Sequence, residues 1–213
     1  MLFRVRTNYS NAHRMPAGFT RLQHLEAVPV CAGLAGLDAR WLLEVAPTAS
    51  ASPVLPIERC RVLVDRRTCR WPYVAPIDQW PLEDRSVPVV LLRHVWQPAV
   101  EADPLDEALR VLKPGGLLIS VTANPWHPLA WRELGRSALS LPSWPHFQIM
   151  HARRGFGLSV PVFNQVRGFV PGLSPVLVLV ARKPAGPARI KPLRFAGPQT
   201  VPGGAAVTQC RAA

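Results

Sequence analysis

The chain has 213 residues, 48% of them hydrophobic, enough for one domain with a full core and too few for two ordinary ones. Its formal net charge is +12 and uneven: 15 basic and 13 acidic residues stand up to Glu133, then 10 basic and none acidic. No apolar run reaches the roughly 18 residues that span a bilayer, and Cys31, Cys60, Cys69 and Cys210 form neither a Cys-x-x-Cys zinc pattern nor a disulfide framework, so no membrane span and no metal site are expected.

Residues 1–38 show little periodicity and read as a poorly ordered arm. Met1-Leu2-Phe3-Arg4-Val5-Arg6 runs into Thr7, Asn8, Ser10 and Asn11 rather than an apolar core, so no secretory leader is expected and the cytoplasm is the expected compartment. Met15 offers an alternative translation start. Trp41 to Val45 is a first buried strand, and Cys60 to Asp65 a second that ends in an acid. Between them Thr48, Ser50, Ser52, Pro53 and Pro56 oppose a long helix, so the crossover should be short or irregular. Val87 to Val95 is an interior strand that should begin at Val89, since Pro88 has no N–H for a ladder.

Residues 106–121 write a helix, its stop and a strand in one line. Leu105, Ala108, Leu109 and Leu112 recur at helical spacing, with Asp106 and Glu107 near the N-terminal end and Arg110 and Lys113 near the other, matching the helix dipole. Pro114 stops the helix, Gly115 or Gly116 can take the left-handed turn that closes it, and Leu117 to Val121 run on as a strand covered on both faces. Trp126 to Leu141 supports a short helix interrupted by Pro128 and ended by Pro142. Val160 to Val166 and Pro175 to Arg182 read as a closing antiparallel pair, and 184–213 as a Pro/Gly/Ala-rich basic tail without order. The expected fold is α/β: a Rossmann-like, mostly parallel sheet with helices on both faces and a C-terminal antiparallel strand pair, spanning residues 39–183.

Two phrases carry a resemblance. From Ala75 to Val95, an acid at Asp78, Trp80-Pro81-Leu82, Ser86-Val87, an apolar strand and His94-Val95 follow in register, and Arg110-Val111-Leu112-Lys113-Pro114-Gly115-Gly116 precedes the next strand. This order resembles the class I S-adenosylmethionine-dependent methyltransferases, particularly the small type-11 domains, over about residues 39–183. The resemblance implies S-adenosyl-L-methionine as cofactor and transfer of its methyl group to a small-molecule or macromolecular acceptor. It implies Glu44, Ala46, Thr48, Asp65, Asp78 and Arg93 around the cofactor, with Asp65 on the ribose hydroxyls and Asp78 near the adenine amino group.

The chain departs from that family where Glu44-Val45-Ala46-Pro47-Thr48-Ala49-Ser50 aligns with acid-x-Gly-x-Gly-x-Gly: all three glycines are replaced. A β-carbon disfavours positive φ by roughly 1 to 2 kcal/mol, and Pro47 removes a backbone donor. Asn124-Pro125-Trp126-His127 resembles the Asn-Pro-Pro-Tyr motif of enzymes that methylate planar nitrogens, but follows the wrong strand, because the motif's place is taken by Arg93-His94. Asn124 and Trp126 either line an acceptor pocket or form a proline turn with an aromatic plug. His94 and His127 are the candidate proton-handling side chains.

The alternative function is a non-catalytic methyltransferase-like protein whose basic C-terminal part binds a partner or RNA through counterion release. Arginine outnumbers lysine 22 to 3, which a gene-level compositional bias would also produce. A nicotinamide or nucleotide-sugar protein lacks its own glycine fingerprint here.

Overall fold

The structure is a computed structural model that describes residues 20–47, 55–65, 67–96, 103–158, 170 and 172–185. Trp41–Ala46 (β1), Glu58–Asp65 (β2) and Val87–Arg93 (β5) pair in parallel, with β1 in the middle. A short hairpin, Thr68–Trp71 (β3) and Ala75–Pro76 (β4), extends the β2 edge in antiparallel sense. On the other side Leu112–Ala123 (β6) pairs in parallel with β5, and Val176–Arg182 (β8) closes antiparallel on β6. With Gly157–Leu158 (β7), the described strands form one sheet in the order β4-β3-β2-β1-β5-β6-β8-β7.

The central strands lack apolar/polar alternation because both faces are covered. On one face Leu105–Val111 (α2) and Trp144–Arg153 (α4) bury Leu105, Ala108, Val111 and Phe147 against Leu43, Val45, Val62, Val90 and Leu118. On the other, Thr20–Leu34 (α1) sets Val30 and Leu34 against Leu42, Val89, Leu91, Ile119 and Val180. Gly33 permits that approach, since a β-carbon there would stand 3.1 Å from Val180 Cγ2 and 3.3 Å from Ile119 Cδ1.

Helix α1 corrects the reading of 1–38 as an unstructured arm; residues 1–19 lie outside the described part. Its buried stripe, Leu22, Gln23, Glu26, Pro29, Val30, Gly33 and Leu34, has helical spacing. The stripe contains two polar residues and a proline, while Leu25 and Val28 face solvent, so its hydrophobic pattern is scrambled. Three further boundaries differ. Strand β5 includes Pro88, which the sheet tolerates because the β5–β6 register slips between Val87 and Val89. Helix α2 ends at Val111, and Leu112 already pairs with Val87. Pro128 does not interrupt a helix but starts one, Pro128–Leu134 (α3), where its missing N–H costs nothing; a 3-10 turn, Gly135–Ser140, follows. Strand β8 forms as expected, but the partner segment expected at 160–166 lies outside the described residues, as does 186–213.

The Arg110–Gly116 phrase has a structural explanation. Lys183 Nζ donates to the terminal carbonyls of α2, Leu109 O at 2.6 Å and Leu112 O at 2.8 Å, neutralising the helix's negative end. Arg110 donates to Trp80 O, Leu82 O and the carboxylates of Glu107 and Asp84, tying the 80–84 loop to the helix. Gly115 takes φ +75°, and Gly116 passes so close to the neighbouring strand that a β-carbon would meet Lys113 O at 2.8 Å and Pro88 O at 3.0 Å. Both obstacles are backbone. Gly116→Ala is therefore expected to cost about 1–3 kcal/mol in thermal unfolding, and an unchanged midpoint would remove this account of the glycine pair.

Candidate functional site

From β1 the chain crosses to β2 on one side and later returns to β5 on the other, so the topological switch lies between β1 and β5. In open α/β sheets ligands bind beyond the carboxyl ends of the strands at that point. Ala46 and Pro47 end β1 there, Asp65 ends β2, His94 and Val95 follow β5, and Asn124 follows β6.

Strand alternation decides which way the charged residues point. Leu42 and Leu91 pack in the apolar layer under α1, so Glu44 and Arg93, two residues further along each strand, face the same side. There they meet Glu26 of α1. Arg93 donates from Nε to Glu26 Oε1 at 2.8 Å, from Nη2 to the same oxygen, and from Nη1 to Glu44 Oε1 at 2.6 Å. Glu26 and Arg93 are 0% and 1% exposed, and Glu44 1%. Glu44 also accepts from Arg61 Nε at 3.1 Å and pairs with Arg59 at 3.7 Å, both cations partly in solvent. His94 Nε2 lies 2.9 Å from Glu26 Oε2, and because an ionised carboxylate only accepts, that nitrogen carries the proton. His94 itself has φ +49°, left-handed and uncommon for a residue with a β-carbon, and its N–H donates to Val121 O at 2.8 Å. The tips of β1 and β5 are thereby locked to each other and to α1.

Two of the expected cofactor residues face outward. Asp65 is 44% exposed and makes a 3.2 Å surface pair with Arg70. Ile77 N–H donates to Arg67 O at 2.9 Å, tying the segment after β4 to the β2–β3 turn, and Asp78, the next residue, is exposed. Ala46 is buried at the end of β1, and Thr48 lies outside the described residues.

The Asn124–His127 segment is a rigid turn. Asn124 is buried, its amide donating to Gly172 O at 2.8 Å and Ser174 O at 2.9 Å while its Oδ1 accepts from Trp126 N–H at 3.0 Å. His127 Nδ1 accepts from Leu129 N–H at 3.1 Å, which makes the imidazole the N-cap of α3. Trp131 Nε1 donates to Pro125 O at 2.6 Å. Trp126, by contrast, is 75% exposed and lines a cavity of about 580 Å³ together with Trp96, Leu139, Leu141, His146 and Met150.

Glu26 and His151 escaped the sequence reading. Glu26 left one signal, a single acid in an otherwise apolar stretch from Leu25 to Leu34. His151 sits under the cavity floor and is fully buried: Nδ1–H donates to Phe147 O at 2.7 Å and Nε2 accepts from Ser120 Oγ at 2.8 Å. Among the described residues no group of three or more His, Cys, Asp or Glu side chains could hold a metal, and no helix is long and apolar enough to cross a membrane.

No family model and no curated protein matches the sequence. Solved structures do. A SAM-dependent methyltransferase from Aquifex aeolicus matches with a TM-score of 0.52 at 13% identity, over 77% of this chain and 93% of that one. This chain has the class I methyltransferase fold. A SAM-dependent methyltransferase from Thermotoga maritima, described as a possible histamine N-methyltransferase, matches with a TM-score of 0.46 at 16% identity, over 78% of this chain and 90% of its own. Within that fold, the antiparallel β8 beside β6 is the expected terminal strand.

Proposed function

We propose that this chain is an S-adenosylmethionine-dependent methyltransferase that binds its cofactor over the ends of β1 and β2. The observation that carries the reading is the class I methyltransferase fold, with Asp65 at the carboxyl end of β2 beside β1 and an exposed Asp78 just after β4. Two carboxylate acceptors suit an adenosyl group, one for the ribose hydroxyls and one for the adenine amino group. The Arg70 partner of Asp65 is no obstacle, because an exposed ion pair contributes at most about 1 kcal/mol and yields to a ligand.

When bound, the sulfonium supplies a methyl group already activated for transfer, so the protein's task is alignment rather than acid–base work. Arg93 and Glu44 do this from beneath. Their ion pairs fix the tips of β5 and β1, and the left-handed His94 turns the chain sharply at the crevice edge. His127, occupied as a helix cap, and Asn124, fully engaged with backbone, hold the turn that presents Trp126.

A non-catalytic, methyltransferase-like protein is the second reading. Glu44, which aligns with the acid of the family's glycine-rich cofactor motif, is here internally paired, and this observation favours it. Calorimetric titration with S-adenosylhomocysteine separates the two. Binding is expected, and Asp65→Asn should weaken it by about ten- to a hundredfold, the loss of a hydrogen bond to a charged acceptor, with no change in the unfolding midpoint. No heat and no thermal shift at millimolar ligand would remove the enzyme reading.

A further inference from the structure

We infer that the cavity between the tips of β5 and β6 and the start of α4 binds an uncharged aromatic molecule, which is the methyl acceptor if the function proposed above holds. Its volume of about 580 Å³ suits a ligand of two or three fused rings. It lies beside the proposed cofactor crevice, on the β6 side of β5, with Trp96 three residues beyond the end of that strand.

The walls give the chemistry. Among the described lining residues there is no Asp, Glu, Lys or Arg, although the whole chain carries a net charge of +12. A site evolved for an anion would have drawn on the abundant arginines. Instead it offers two indoles, a thioether and two leucines, with His146, Ser143 and Ser140 as polar groups, the last donating to Ser137 O. Ser143 stands at the N-cap of α4 without a side-chain capping bond, which leaves its hydroxyl for a polar substituent on the ring.

The Trp96 indole and the backbone that carries Trp126 are held in place before any ligand arrives. Trp96 packs edge-on against Phe147, ring centroids 4.9 Å apart at 88°. Trp126 rides on the turn that Asn124 pins to the Gly172 and Ser174 carbonyls, yet its side chain is 75% exposed, and Leu139 across the lining is 62% exposed. A rigid backbone that holds large apolar side chains out in water is the mark of a preorganised binding face, since neither side chain contributes to the core it leaves.

The test is calorimetric titration of the full chain with 2-naphthol and with 2-naphthoate at neutral pH, without cofactor. Saturable binding of naphthol at least tenfold tighter than naphthoate is expected. Trp126→Ala and Leu139→Asp should each weaken naphthol binding about tenfold or more while leaving the unfolding midpoint in place, because both side chains are largely in solvent. Equal binding of the two probes, or naphthol binding indifferent to both substitutions, would overturn the inference. Naphthol binding without any S-adenosylhomocysteine binding would keep the aromatic site and remove the methyl-transfer reading. Cofactor binding without naphthol binding would do the reverse.

Discussion

Arg93→Met is expected to destabilise the fold by about 3–5 kcal/mol, a large share of the roughly 5–15 kcal/mol that holds a domain together. The guanidinium is the bridge between two carboxylates that are almost entirely out of water, Glu26 at 0% and Glu44 at 1% exposure. Without it Glu44 keeps Arg61 and Arg59 at the solvent edge, whereas Glu26 keeps His94. Glu26 therefore suffers more, and the break should loosen α1 from the sheet first. Replacing all three, Glu26→Gln, Glu44→Gln and Arg93→Met, removes the uncompensated charges and should recover most of the loss, since the desolvation of the ions offsets much of their attraction. Urea unfolding measures both. A single-variant cost below about 1 kcal/mol would show that the quartet does not clamp the strand ends.

Acid should weaken the fold through His151 before the carboxylates titrate. Burial is the main cause that pushes its imidazole down from 6.5 to about 4; the bond to Phe147 O opposes the shift and the Arg154 cation adds to it. The folded imidazole is neutral, its one proton on Nδ1 and its Nε2 lone pair filled by the Ser120 hydroxyl, so a second proton would break the Ser120 bond and place a charge beside Phe147, Trp96 and Phe156. In the unfolded chain the same group takes up a proton near pH 6.5. The stabilisation is thus complete above pH 6.5 and falls as pH drops towards 4, by about 3 kcal/mol over the window at 1.36 kcal/mol per pH unit. Unfolding midpoints measured from pH 7 to 5 should slope downward in the parent chain and be flatter in His151→Gln. Parallel slopes would assign the acid sensitivity to other groups.

Trp41 to Val45, Cys60 to Asp65 and Leu117 to Val121 were legible as strands because each is a short, mostly apolar run with only one or two polar residues, the record left by strands packed into a sheet. In the Arg110–Gly116 phrase, Arg110 ties the 80–84 loop to the helix, Gly115 makes the left-handed turn and Gly116 the close backbone approach. Helix α4 and the hairpin β3–β4 left no such record. The β3–β4 hairpin is too short to show a period, and α4 carries only Phe147 and His151 as fully buried side chains in ten residues. Helix α1 was hidden by its own site, since Gln23 and Glu26 occupy the stripe where a hydrophobic pattern was sought.

The candidate site divides along the same line. Asp65 was legible as the end of β2 because a strand end sits at a fixed offset from its apolar run, whereas the bond from Ile77 N–H to Arg67 O, which ties the segment before Asp78 to the β2–β3 turn, belongs to the tertiary fold. Trp126 and Asn124 were singled out as a pair, and the structure gives them opposite orientations, Asn124 turned inward to backbone carbonyls and Trp126 outward to the cavity.

By itself the sequence determined the order of β1, β2, β5, α2, β6 and β8, hence the α/β class, because periodicity and turn chemistry act over a few residues. Only the tertiary structure decided what the charged residues do. Glu26, Glu44 and Arg93 are separated by 18 to 67 positions in the chain, and a buried charge becomes tolerable only where distant segments bring its partner within about 3 Å.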